Sequence, residues 1–417
     1  MIEGIDRTVR RNTFVLALAM ALNWSVITLF AALTALTIGS LFGMPELAGA
    51  GFALASLAIG SGSVVVGRLM DRLGRRNALI VAFLVGAGGA LLIFAGVGAV
   101  SIPVALAGLL VTSFAVGGAN LARVAGADMF PPARRPRGIA LILFGAAFGA
   151  LGAPIVFSPM LPQSHHVDAA ALAAPWTVAA GIMLAGAVLL LAIRTDPRAI
   201  AEQLRTVPTD SGSPPPDHQS PARPLRSLLS LPMVPLALLA AFIAQGVMTT
   251  IMALSGLVLH QHGHDPSAIT LTVSFHFVGM FGLVLVVGRL VEAFGRFRSV
   301  LVGLIVLAGG ALLMMPGVSL VNFIPGMFLV GVGWNIAFVA STTILADAAR
   351  PAERGRLLGF SDFLALLGSA SMALLGGIVL SGLGLTAMLI ASVALCLVPA
   401  ALIALNRTRL EGAPAAS

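Results

Sequence analysis

Residues 67–76 read Gly67-Arg68-Leu69-Met70-Asp71-Arg72-Leu73-Gly74-Arg75-Arg76, and 221 residues later the chain reads Gly288-Arg289-Leu290-Val291-Glu292 with Gly295-Arg296. A second match lies downstream of each copy. Asp128, followed by Pro132-Ala133 and Arg135, returns as Asp347, followed by Pro351-Ala352 and Arg354, at an offset of 219 residues. Two separate matches at nearly one offset indicate a single internal duplication.

What is duplicated follows from composition. Hydrophobic residues make up 58% of the 417-residue chain and charged residues 10%, with a mean hydropathy of +1.03. A soluble domain carries roughly a quarter charged residues. Crossing a bilayer as helix takes about 20 apolar residues. Runs of that kind fall near 13–41, 45–67, 77–98, 102–128, 138–160 and 173–193, then 232–258, 267–288, 299–316, 319–346, 357–381 and 384–405. Each must be helical, because hydrocarbon offers no partner to an unpaired backbone group. The first run is too long for the core of a cleaved leader, and no small-residue cleavage site follows it. The expectation is an all-α membrane protein of twelve transmembrane helices in two pseudo-symmetric six-helix bundles.

Charge fixes the orientation. All 24 basic residues are Arg. Apart from Arg123, near the inner end of the fourth span, every one lies in the N-terminus, an even-numbered connection or the C-terminus. By the positive-inside rule both termini are then cytoplasmic. The net charge of +8 reports orientation and does not call for a nucleic-acid partner. The stretch 194–231 is polar and rich in Pro and Ser (Ser211-Gly212-Ser213-Pro214-Pro215-Pro216), as a mobile connection is. The domain reading is therefore a bundle over 1–193, a cytoplasmic linker over 194–231 and a second bundle over 232–417. Cys396 is the one cysteine, which excludes an internal disulfide. No phosphate-binding G-x-x-x-x-G-K-[ST] loop occurs, so an ATP-driven pump is unsupported and no enzyme is implied.

The segment 67–76 carries the full pattern G-x-x-x-D-R-x-G-R-R and resembles the signature of the major facilitator superfamily. The resemblance extends over essentially the whole chain through the spans and the repeat. It implies the major facilitator fold and alternating access by two bundles to one central site. Gly67, Asp71, Arg72, Gly74, Arg75 and Arg76, with Asp128 as acidic partner, would form the gating cluster. The glycines allow close approach and a tight turn, and Asp71 can pair with Arg groups or face a helix N-terminus in one state and release them in another. Ala293 and Phe297 replace Arg in the second copy.

Polar groups at membrane depth are costly and usually functional. His276 is the one histidine placed inside a span, with Met280 at i+4; Met248 and Met252 stand in the same relation in the seventh span. At 1.5 Å per residue, Met248 and His276 lie at a similar depth, roughly 15 Å from the outer surface. Three thioethers and an imidazole would make a soft ligand set suited to copper, with no carboxylate beside it. An outer loop adds His260, His262 and His264 beside Asp265, a candidate capture site, and His165 and His166 lie in another. Asp347 and Asp362 are candidates for proton coupling or for salt bridges with Arg350, Arg354 or Arg356. Asn23, Asn120, Trp334 and Asn335 can line a cavity or join packed helices.

Here the chain resembles the CcoA-type copper importers, whose M-x-x-x-M in helix seven and H-x-x-x-M in helix eight match Met248, Met252, His276 and Met280. That resemblance implies a monomeric importer in the bacterial inner membrane, with copper as transported substrate for assembly of cbb3-type cytochrome c oxidase and no permanently bound cofactor. The partners are the bilayer and a small substrate. The alternative is a proton-coupled carrier of a small organic molecule, for drug efflux or riboflavin uptake, with His276 as the titrating group.

Overall fold

The structure, a computed structural model, describes residues 2–36, 48–157, 160, 169–206, 222–264 and 266–405. His165, His166 and Asp265, and the Pro- and Ser-rich centre of the linker at 207–221, lie outside the described residues. The described residues contain helices and turns and no strand.

In chain order the helices are α1 (Ile2–Leu36), α2 (Ala48–Leu73), α3 (Arg75–Gly98), α4 (Ile102–Ala119), α5 (Ala122–Asp128), α6 (Arg135–Phe157), α7 (Ala169–Leu190) and α8 (Pro197–Thr206). They continue as α9 (Leu225–Leu229), α10 (Met233–Gln261), α11 (Pro266–Phe277), α12 (Val284–Phe294), α13 (Arg296–Met314), α14 (Leu320–Ala348) and α15 (Pro351–Leu405). Ten stretches are long and apolar enough to cross a membrane, and α11 with α12, bent by 46°, make an eleventh. The 55-residue α15 is interrupted at Gly384 (φ 84°, ψ 176°) and so supplies two spans. The described residues thus hold twelve spans, with the last two divided where residues 381–384 predict.

Many large apolar side chains stand outward, among them Phe14 (69% exposed), Val188 (66%) and Leu374 (69%). Against water such a surface would be prohibitive, whereas lipid tails meet it without cost. Helix association there depends on close backbone approach. In α2 and α4 the devices are Gly62 and Gly117: a Cβ on Gly62 would collide with the carbonyl of Phe114, and one on Gly117 with that of Ile59.

Two compact units emerge. One comprises Met1–Met129, Leu141–Val207 and Leu358–Phe363; the other comprises Phe130–Ala140, Pro208–Leu357 and Leu364–Ser417. The short exchanged pieces, at the start of α6 and the start of α15, each carry or adjoin an arginine-rich connection.

Candidate functional site

In the first unit, Gly74 separates α2 from α3 with φ 87° and ψ 167°, a backbone region essentially restricted to glycine. The turn directs Arg75 inward, where it is fully buried. Its Nε donates to Asp128 at 2.7 Å and its Nη1 to Asp71 at 2.9 Å. The structure therefore brings Asp71, Arg75 and Asp128 together. Arg72 is exposed. Arg123, one turn before Asp128, pairs with Asp362. Asn23 Nδ2 donates to Asn120 Oδ1 at 3.0 Å, so these two join α1 to the end of α4.

Asp196 is a residue the sequence reading passed over. It accepts from the backbone N–H groups of Arg75 (3.1 Å), Arg76 (3.0 Å) and Arg198 (2.8 Å). One carboxylate thus satisfies orphan donors at the starts of both α3 and α8. Arg198 in turn donates to the carbonyl of Asp71. The signal was present as Asp196-Pro197, an N-cap residue followed by proline at the first helical position.

The second unit repeats the turn. Gly295 has φ 85° and ψ 157°, close to Gly74, and Arg296 Nε donates to Asp347 at 3.0 Å. Arg135 also pairs with Asp347. Glu292, the counterpart of Asp71, has its Oε1 buried with no hydrogen-bond partner. The second copy retains an arginine–aspartate pair, and Arg296 turns to Asp347 rather than Glu292. Asp347 and Asp362 do form ion pairs, but with Arg135, Arg296 and Arg123 rather than with Arg350, Arg354 or Arg356. A buried Glu353 supplies a further anchor, meeting Arg223 at 2.7 Å (Nη2–Oε2) and 3.1 Å (Nε–Oε1). These hydrogen bonds raise the Arg223 guanidinium above its ordinary pKa against the opposing desolvation.

Span eight departs from a plain helix. Between α11 and α12, Val278–Gly282 form a π-helical segment, a feature that often marks functional sites. Gly331 of α14 explains the close packing there, since a Cβ on it would collide with the carbonyl of His276. Met280, four residues after His276, falls inside this wider turn. Met248, Met280 and His276 are buried and Met252 is half-buried.

His276 is fully buried, and its Nδ1 lies 2.9 Å from the carbonyl oxygen of Met327. A carbonyl only accepts, so Nδ1 carries the hydrogen and the neutral ring leaves a lone pair on Nε2. That Nε2 is buried with no hydrogen-bond partner. Ser255 Oγ donates to the Met327 sulfur at 3.3 Å. Met327 orients the imidazole through its backbone, and a backbone carbonyl leaves no residue-specific trace in sequence.

An aromatic row lies in the same unit. Phe277 and Phe281 are stacked with centroids 6.5 Å apart, Phe281 meets Trp334 edge-on at 6.2 Å, and Trp334 stacks on Phe338 at 4.8 Å. Trp334 Nε1 donates to Gln245 Oε1 at 2.7 Å, which fixes the indole between α10 and α14. Asn335 is fully buried with both amide atoms lacking hydrogen-bond partners. In the outer loop, His262 Nδ1 meets the Val258 carbonyl at 2.8 Å and His264 Nε2 the Val318 carbonyl at 2.8 Å. The side chain of His260 lies outside the described residues. Among the described residues no group of three or more His, Cys, Asp or Glu is arranged to hold a metal ion.

A helical bundle with a duplicated charged turn and orphaned polar atoms at membrane depth defines a secondary transporter. The model of the Major Facilitator Superfamily matches residues 13–260 and 236–416, and the chain belongs to that family. It is 27% identical over 376 residues to the uncharacterized MFS-type transporter YdeG of Bacillus subtilis (strain 168), covering 89% of this chain and 86% of that protein. It is 28% identical over 360 residues to the riboflavin transporter RfnT of Brucella anthropi, covering 85% of each. The fold resembles that of the human organic anion transporter MFSD10, with a TM-score of 0.74 at 19% identity, over 95% of this chain and 99% of that one.

Proposed function

We propose that this transporter carries a small organic solute with a planar aromatic ring and a hydrogen-bonding edge, of the flavin kind. The observation that carries the reading is the row Phe277, Phe281, Trp334 and Phe338 in the same unit as the open Nε2 of His276. Aromatic side chains stack on planar rings. A buried acceptor without a partner costs about 1–3 kcal/mol, and an N–H or O–H on a solute would recover it. Similarity to a riboflavin transporter over most of the chain supports the same solute class. Gln245 and the Met327 carbonyl act as positioning groups, holding the indole and the imidazole. The arginine distribution supports cytoplasmic termini, and similarity to bacterial transporters supports a bacterial inner membrane.

Copper import is the second reading. It is favoured by one observation, the Met327 carbonyl fixing Nδ1–H so that Nε2 presents its lone pair, as metal-ligating histidines do. With Met248, Met252 and Met280 the donor set is soft, and copper would pass as substrate.

The test is riboflavin uptake by a riboflavin auxotroph expressing the wild type, Trp334→Ala or His276→Ala. The organic reading expects growth at low riboflavin with the wild type and a rate at least about tenfold lower in each variant. Growth unaffected by both substitutions, with cellular copper accumulation lost in His276→Ala, would replace it with the copper reading.

A further inference from the structure

A cleft of about 380 Å³ lies at the α2–α3 turn, outside the His276 region, with Arg72, Arg76, Arg194 and Arg198 among its lining residues, together with Asp196 and Glu202. The two carboxylates do not neutralise it. Asp196 accepts from three backbone N–H groups, and Glu202 pairs with Arg198 at 3.0 Å. Arg72, Arg76 and Arg194 make no ion pair with a described acidic side chain. Arg76 also has its Nε buried without a hydrogen-bond partner. Four guanidinium groups face two carboxylates around one cavity, so the lining keeps a net positive charge.

We propose that this cleft binds a phosphate group, and the geometry points to the phosphodiester of an anionic phospholipid. Guanidinium forks match phosphate oxygens in geometry and charge. The cleft sits where α3 begins its crossing at Arg75, which is headgroup depth for a lipid beside the bundle. Anionic headgroups attract such arginines through the surface potential. A phosphate there joins the turn carrying Arg72, Gly74 and Arg76 to Arg194 and to Arg198 of α8, stabilising the arrangement in which Asp196 caps both helices. The composition of the surrounding bilayer thereby biases the duplicated turn.

The purified full-length transporter, in mixed micelles of phosphatidylglycerol and phosphatidylcholine, is analysed for retained lipid by native mass spectrometry. The proposal expects preferential retention of phosphatidylglycerol by the wild type. Arg194→Gln, outside the gating motif, should retain about fivefold less, the effect of roughly one basic residue at an anionic surface. The triple variant Arg72→Gln/Arg76→Gln/Arg194→Gln should lose the preference. A parallel arm titrates inorganic phosphate. Displacement of the lipid at millimolar phosphate, absent in Arg194→Gln, supports the site and assigns it to soluble phosphate as well. Equal phosphatidylglycerol retention by wild type and Arg194→Gln, with no effect of phosphate on either, overturns the proposal.

Discussion

Gly74→Ala and Gly295→Ala form a matched pair, because the two turns have nearly the same backbone and different surroundings. Both residues occupy positive φ with extended ψ, at 87°/167° and 85°/157°, where an alanine costs about 1–3 kcal/mol of strain. Beyond that shared penalty they differ. A Cβ on Gly74 would stand 2.7 Å from Asp196 Oδ2, whereas one on Gly295 meets nothing within 4 Å. Displacing the Asp196 carboxylate weakens its bonds to the N–H groups of Arg75 and Arg76, each worth about 1.5–3 kcal/mol as a hydrogen bond to a charged group. Loss of both bonds adds about 3–6 kcal/mol to the shared strain, so Gly74→Ala should cost up to roughly 4–9 kcal/mol against about 1–3 for Gly295→Ala. Cys396 is the one cysteine and is fully buried, so a thiol-reactive fluorophore reads unfolding directly on heating in detergent. The midpoint should fall further for Gly74→Ala, and the excess should vanish in an Asp196→Ala background. Equal losses at the two glycines, or an excess that persists without Asp196, would refute the account of this turn.

Arg75→Gln should cost about 3 kcal/mol or more of stability, read as a fall in the same midpoint, since it removes a buried partner from Asp71 and Asp128; Arg296→Gln, whose side chain is 27% exposed, should cost about 1 kcal/mol. Gly331→Val should abolish well-folded protein in size-exclusion chromatography, because the added Cβ meets the His276 carbonyl, while Gly309→Val, with open space around it, should elute as wild type. Glu353→Gln should destabilise by about 2 kcal/mol through the weakened Arg223 contacts, and extra salt should not rescue it, since Glu353 is fully buried.

The spans were legible because hydrocarbon permits so few backbone conformations. The gap between the runs 357–381 and 384–405 marked the break in α15, and the offset of about 220 residues identified two turns whose glycines share nearly the same φ and ψ. The pairing of Asp71 and Asp128 with Arg75 was readable as a motif, since glycine, acid and arginine at that spacing serve one geometry. The partners of Asp347 and Asp362 were not. Arg350, Arg354 and Arg356 were near in sequence, yet Arg135, Arg296 and Arg123 reach the carboxylates, because tertiary packing decides contacts between helix ends. The π segment at Val278–Gly282 was equally hidden: it packs closely against Gly331, some fifty residues away in sequence. The Met327 carbonyl that orients His276 carries no side-chain signature at all, and Trp334 drew notice only as a polar-tipped residue in a span. Its seat against Gln245 and Phe338 comes from packing.

The central claim, an organic solute recognised beside His276 and Trp334, is tested most directly with the purified transporter in proteoliposomes. Uptake of radiolabelled riboflavin and of radiocopper is measured side by side, each against empty vesicles. The account predicts saturable riboflavin accumulation that falls at least about tenfold in Trp334→Ala, with copper entering no faster than into empty vesicles. Saturable copper entry that depends on His276 and Met248, with riboflavin at background, would contradict it.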